Sequence, residues 1–301
     1  MFATIVGPYP RPPGLDDAAA RRLALEDQLA ADLGILADGL AIPAADALAA
    51  WRAADAEATS IAGERDLDAR PVKARLVGPY SIAAASGGTA RARRTRALRA
   101  ADAGRATLLA LFDAGAPIVQ VEEDGLTAIG PDDDAARSLA IDALVRLMDG
   151  VEGHVTLSIV GGDPSGAGPE VCFAAPFSSH CFDLVLGPDG WRVARQAPGE
   201  RGLIVGVADC RTTRRDPEPV SVWGARYAAS MHRRGPDRVG LAPSAGLERL
   251  SRDAALAKIT ALAKAAAVAG LRGEALRQAL PRPAVTRTRR RPTRAPDPGA
   301  G

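Results

Sequence analysis

Short runs of β-forming residues alternate with longer alanine-rich stretches along this chain, and no other feature constrains its fold as strongly. Eight runs are strand-sized: residues 3–7, 34–38, 72–77, 117–123, 154–160, 181–186, 203–208 and 238–242. Helical periodicity falls between and after them, at 17–32, 43–57, 90–114, 132–148, 171–178, weakly near Trp191, then 217–233 and 252–269. Parallel strands cannot be joined by a hairpin and need a crossover, usually helical, so strict alternation predicts a parallel sheet with helices outside it. Asp16, Asp132 and Ser251 carry short polar side chains that can accept from free amides and are the expected N-caps. Gly115 and Pro117 stop the helix that precedes the fourth run. Eight such repeats in about 270 residues predict an α/β protein, a single (β/α)8 TIM barrel over residues 1–280, with a doubly wound open sheet as the alternative.

Several classes of function are disfavoured by composition and local chemistry. No apolar run approaches the roughly 20 residues of a membrane span, and the opening Met1-Phe2-Ala3-Thr4-Ile5-Val6-Gly7 lacks a charged leader, so a cytoplasmic protein with no membrane partner is expected. Cys172, Cys181 and Cys210 have neither paired nor metal-ligand spacing and read as small buried hydrophobes. A phosphate cradle needs backbone amides, and the first turn, Gly7-Pro8-Tyr9-Pro10-Arg11-Pro12-Pro13-Gly14, withholds several, so nucleotide binding through that loop is disfavoured. Residues 281–301 carry six arginines against the single acid Asp297, leaving the rest of the chain near −3. That tail is rich in proline and poor in packing side chains, which predicts disorder. It lacks aromatics for base stacking, and specific nucleic-acid binding is not expected.

The acids of Val119-Gln120-Val121-Glu122-Glu123-Asp124 stand at the end of an apolar run, where a parallel sheet presents strand tips to ligands. Neighbouring strand residues face opposite sides, so only one of Glu122 and Glu123 can face a barrel mouth. Carboxylates crowded in a poorly hydrated site raise each other's pKa and suit acid–base work, while a salt bridge to Arg75 or Lys73 is the structural alternative.

Six strand tips in order resemble the catalytic C-terminal barrel of cobalamin-independent methionine synthase, a family sharing its fold with uroporphyrinogen decarboxylase. The segments are Thr4-Ile5-Val6-Gly7-Pro8-Tyr9-Pro10-Arg11, Gln28 with Gly34-Ile35-Leu36-Ala37-Asp38-Gly39, Val72 through Ser81, Gln120-Val121-Glu122-Glu123, Gly206-Val207-Ala208-Asp209, and Ala242-Pro243-Ser244-Ala245-Gly246-Leu247. The resemblance implies methyl transfer from a folate-type donor to a thiol, activated in the family by zinc on one histidine, two cysteines and a glutamate. Here His154 is similar to the histidine, but Thr156 stands where the first cysteine is expected and Ala245 where the second belongs. No glutamate follows the sixth run, which ends Leu184-Val185-Leu186-Gly187-Pro188. One histidine cannot hold a site that needs three or four ligands, so no metal residues are assigned and zinc is not expected.

These features together predict a divergent methionine-synthase-like methyl or one-carbon transferase without the usual zinc. Its substrate is expected to be a small amino-acid-like or thiol compound, with methyl-folate as co-substrate. Glu123, His154 and Asp209 are the expected catalytic residues. Tyr9, Arg11, Asp38, Tyr80, Ser81, Gln120 and Glu122 are expected to contact substrate. The alternative is a barrel without catalysis, binding a ligand or serving as a partner subunit or homo-oligomer.

Overall fold

A computed structural model describes residues 1–41 and 46–280. The tail expected to be disordered and the start of the helix expected at 43–57 lie outside the described residues. Among those described, seven strands form one parallel sheet: β1 (Phe2–Ala3), β2 (Ala74–Val77), β3 (Val119–Glu122), β4 (Val155–Ile159), β5 (Ser179–Asp183), β6 (Gly202–Ala208) and β7 (Val239–Pro243). Their spatial order is β1-β7-β6-β5-β4-β3-β2, which puts β1 and β2 at the two ends of the ladder. This is an α/β fold with a curled parallel sheet, consistent with a TIM-like barrel.

Residues 34–38, expected as a full strand, make only one isolated parallel bridge, Leu36 with Val72. They still span the gap between the sheet's ends. Gly34 N donates to Ala3 O at 3.0 Å, Leu36 N donates to Pro71 O at 2.9 Å, and Lys73 N donates to Leu36 O at 2.9 Å. The ladder stops because the next peptide group has another partner. Gln28 Nε2 donates to Ala37 O at 2.8 Å and Ala37 N donates to Gln28 Oε1 at 2.9 Å. A side-chain amide offers the same donor and acceptor as a peptide, so Gln28 replaces one strand contact.

Helices pack outside the sheet: α1 (Asp17–Ala30), α2 (Ala47–Glu64), α3 (Pro79–Ala85), α4 (Ala90–Asp113), α5 (Asp134–Met148), α6 (Gly168–Cys172), α7 (Gly190–Ala194), α8 (Glu218–Ser230), α9 (Arg252–Gly270) and α10 (Gly273–Ala279). The long α4 shows why these residues form helices. Thr89 accepts from Ala92 N at its start, and Ala97, Ala101, Leu108 and Leu111 bury one face. Each fully buried leucine contributes roughly 1.5–3 kcal/mol. At the end Gly115 turns left-handed (φ +94°), Gly115 N donates to Phe112 O and Ala116 N to Leu111 O, closing the expected stop as a Schellman motif.

Boundaries differ from the sequence reading in several places: the first strand is confined to Phe2–Ala3, α2 runs on to Glu64, and the helix expected at 171–178 is α6 at Gly168–Cys172. Asp133, not Asp132, caps α5. The short α3 and α10 carry no periodicity long enough to register. β5 begins two residues early and ends at Asp183, because Ser179 faces inward and breaks the apolar run. No described helix is long and apolar enough to cross a membrane.

Alternation divides the sheet cleanly. Residues such as Val121, Leu157, Phe182, Val205 and Leu241 face the helices in the main core, while Val6, Val160, Cys181, Ile204 and Ala242 form a separate inner cluster. The inner face also carries Lys73, Arg75, Gln120, Glu122, Thr156, Ser158 and Ser179.

Candidate functional site at the strand tips

Arg75 is the centre of the polar array at the C-terminal end of the sheet. Its Nε donates to Glu122 Oε1 at 2.8 Å and its Nη1 donates to Asp38 Oδ1 at 3.1 Å and to Leu40 O at 2.6 Å. Gln120 joins the array, donating to Glu122 Oε1 at 2.9 Å and accepting from Lys73 Nζ at 2.7 Å. The structure therefore brings Asp38, Gln120 and Glu122 of the expected binding residues together, and gives Glu122 the salt bridge anticipated as the structural alternative.

Two further acids border this array. Asp124 lies on the same face as Glu122, one strand period on, and its Oδ1 accepts from Val160 N at 3.1 Å. Asp124 is exposed as a residue, but desolvation of its carboxyl pushes it up to about 7, with the Val160 amide and Arg75 opposing the rise and the negative charges of Glu122 and Asp183 adding to it. Asp183, the last residue of β5, accepts at Oδ1 from Val185 N at 2.8 Å and Leu186 N at 2.9 Å. Burial raises its pKa as well. Its Oδ2 and the neighbouring-strand Ser158 Oγ are buried and lack a well-aligned hydrogen-bond partner among the described residues, although Gly161 N approaches the Asp183 carboxylate and Cys181 Sγ approaches Ser158. Buried polar atoms are almost always paired, so these two retain capacity for a bound polar group.

The sequence reading missed both acids. For Asp124 the signal was present, since period-two alternation puts it beside Glu122. For Asp183 it was obscured by a strand assigned three residues too far.

Several expected residues lie elsewhere. Glu123 is fully buried on the outer side of β3, not at the mouth, and its carboxylate accepts from Tyr80 N at 2.9 Å, Ser81 N at 2.8 Å and Ser81 Oγ at 2.7 Å. It caps α3, and the strand's own alternation sends it there. Tyr80 and Ser81 are thus bound to that cap, with Tyr80 lining a cleft against α4 and α5. His154 stands at the opposite, N-terminal end of β4, with Nε2 3.0 Å from Ser179 Oγ, and partial burial lowers its pKa. Asp209 follows β6 but is held by Arg211, whose Nε lies 3.0 Å from Oδ1, and this partner lowers its pKa.

Arg11 is exposed and paired with Asp17 at the start of α1. Tyr9 is buried, donating to Asp27 Oδ2 at 3.1 Å, while Arg252 holds the same carboxylate from α9 at 2.7 and 2.8 Å. Its hydroxyl ties the loop after β1 to α1, which Arg252 in turn pins to α9, rather than meeting a ligand. Tyr9→Phe is expected to cost about 1 kcal/mol, the net worth of one hydrogen bond, without changing ligand affinity, as denaturant unfolding and calorimetry would read.

Among the described residues no group of three histidine, cysteine, aspartate or glutamate side chains could hold an ion. The inward residues two apart at the tip of β4 are Ser158 and Val160. Ser244 follows β7, its Oγ 3.3 Å from Cys210 Sγ. His180 and Cys181 face opposite sides of β5, with His180 stacked on Phe182 and pushed down to about 3 by burial. Among the described residues these donors do not come together as a zinc site.

A curled parallel sheet with an acid-rich array at its strand tips defines an α/β protein of TIM-like barrel fold. No family model matches the chain, and no curated protein matches it. Among solved structures, the chain is similar to a B12-independent methionine synthase from a Shewanella species in complex with selenomethionine (TM-score 0.69, 15% identity, covering 88% of this chain and 96% of that one). It is also similar to a Listeria monocytogenes protein assigned the same activity (TM-score 0.65, 10% identity, covering 89% and 97%). A methyltransferase from Methanosarcina mazei follows (TM-score 0.53, 19% identity, covering 76% and 68%). At these identities the likeness is one of fold.

Proposed function

We propose that the chain is a methyl or one-carbon transferase whose substrate, a small amino-acid-like or thiol compound, binds at the strand tips without zinc. The curled sheet is read as a full (β/α)8 barrel, with residues 34–38 as its eighth stave. The observation that carries the reading is the unpartnered Asp183 Oδ2, beside Asp124 and the Arg75 array, in a fold shared with a methionine synthase that was solved with an amino acid bound. A substrate ammonium group would satisfy that oxygen and Ser158 Oγ together, each of which otherwise carries a desolvation cost.

The chemistry follows from the acids. A thiol accepting a methyl group must give up its proton, since the neutral thiol is a weak nucleophile. Asp124, with its carboxyl near 7, is matched to take that proton at neutral pH, as a general base works best when its pKa lies near the working pH. Glu123, expected from sequence as the base, is replaced in this role because the cap it forms on α3 occupies both its oxygens. The folate-type donor rests on the resemblance read in the sequence and belongs to the proposal.

The poor fit to zinc favours a second reading, a barrel that binds such a compound without turnover. Titration calorimetry with methionine and selenomethionine, together with a methyl-transfer assay using methyl-folate and homocysteine, separates the two. Binding that weakens about 10–100-fold in Asp183→Asn is expected, the worth of a charged hydrogen bond. Turnover lost in Asp124→Asn but present in the parent supports transfer, and binding without turnover supports the second reading. Stoichiometric zinc by elemental analysis would overturn the metal-free assignment.

A further inference from the structure

A large cavity lies at the other end of the sheet. It encloses about 680 Å³ around the N-terminal ends of the strands, within the range of roughly 300–1,000 Å³ typical of small-molecule sites. Barrel interiors are normally filled there by layers of bulky branched side chains. Here the inward positions of β4, β5 and β6 at that level are Thr156, Ser179 and Gly202, all short, and the space they leave is the cavity.

Its walls divide by chemistry. Phe2, Ile35, Ile118, Phe177 and Ile204 supply an apolar body. One flank is a hydrogen-bonded chain in which Ser179 Oγ sits 3.0 Å from His154 Nε2 and 2.7 Å from Thr156 Oγ1. Lys73 also lines the cavity and is 4% exposed. Its Nζ donates to Ile5 O at 2.6 Å and Gln120 Oε1 at 2.7 Å, and among the described residues it makes no ion pair. An ammonium has three protons, so one donor remains unassigned, and a buried charge without a counterion is costly. Arg201 and Arg238 at the rim outnumber no acids, since Glu200 and Asp237 match them, so the excess charge is the interior lysine.

We propose that this N-terminal cavity is a second binding site, taking a small, mainly apolar carboxylate whose charged end meets Lys73 and the Ser179–His154 chain. Desolvation lowers the Lys73 pKa to about 8, which leaves it mostly cationic at neutral pH. The cavity lies at the opposite end of the sheet from the strand-tip acids; Lys73 also bonds Gln120 of their array, so Ser179→Leu is the variant that leaves that array untouched.

Calorimetry with benzoate and 4-methylpentanoate on the full chain, and with benzamide as the uncharged control, tests it. One-to-one binding of a carboxylate at millimolar affinity or better is expected, with benzamide at least about tenfold weaker. Ser179→Leu, which fills the cavity, and Lys73→Met, which removes the charge, should each weaken binding by about tenfold or more, with folding of both checked by circular dichroism. Ile118→Trp offers an independent way to occupy the space should either variant fail to fold. Asp183→Asn should leave carboxylate binding unchanged. No binding of either carboxylate, equal binding of benzamide, or binding lost in Asp183→Asn but kept in Ser179→Leu and Ile118→Trp would each overturn the proposal.

Discussion

Arg75→Ala is expected to destabilise the protein by about 3–5 kcal/mol, the usual cost of removing one partner from a buried ion pair. The Arg75 side chain is 3% exposed, while Asp38 and Glu122 are 11% and 13% exposed. Deleting the guanidinium would leave two carboxylates facing each other in a poorly hydrated interior, with Leu40 O losing its donor too. The triple replacement Asp38→Asn, Arg75→Met, Glu122→Gln removes the charges together and should recover most of that loss, because the penalty comes from unpaired charge and not from the absence of an ion pair. Urea unfolding of both variants reads the difference. A single variant as stable as the parent would show that water reaches these groups freely.

The second large effect concerns Glu123. Gly78 approaches its carboxylate so closely that a Cβ there would stand 2.1 Å from Glu123 Cδ, so the pocket around the acid has no slack. Glu123→Ala strips three donors of their acceptor at the start of α3 and should cost about 2–4 kcal/mol, from unsatisfied buried groups at about 1–3 kcal/mol each less partial relaxation. Burial pushes this carboxyl from 4.5 up to about 7. Between those values the folded protein holds a proton that the unfolded chain has released, so this group's contribution is fullest below about 4.5 and declines as pH rises toward 7. Glu123→Gln should be less damaging than alanine and should flatten that part of the stability–pH profile, measured by thermal melts from pH 4 to 8. A profile unchanged by the glutamine would place the titration on Asp124, whose carboxyl is raised to a similar value.

Much of the architecture was legible because its signals are local. Strand-sized runs separated by alanine-rich periodicity located β2, β3, β4, β6 and β7 closely, and Asp16, Ser251 and Gly115 act at the positions their chemistry suggested. The segment at 34–38 was found but misjudged in kind. Nothing in its own residues shows that a glutamine several positions earlier would take over the backbone bonds of Ala37. Site orientation was legible only through strand parity. Parity separates Glu122 from Glu123 and adds Asp124, yet says nothing about which inward acid ends with a free oxygen. Asp183 became visible only once β5 was seen to stop there. His154 shows the converse limit, since its resemblance to a metal ligand was carried by residue type, while its place at the start of β4 puts it with Ser179 at the far end of the barrel.

The glutamine clasp has a mechanical meaning for the strand-tip site. Asp38 is the next residue after Ala37, so the amide of Gln28 anchors the peptide that presents one of the two acids to Arg75. Slackening at this seam would draw Asp38 away from the guanidinium and leave Glu122 as its sole carboxylate partner. The span between the two ends of the sheet and the charge balance at its strand tips are therefore one adjustment, made without any contact with a ligand.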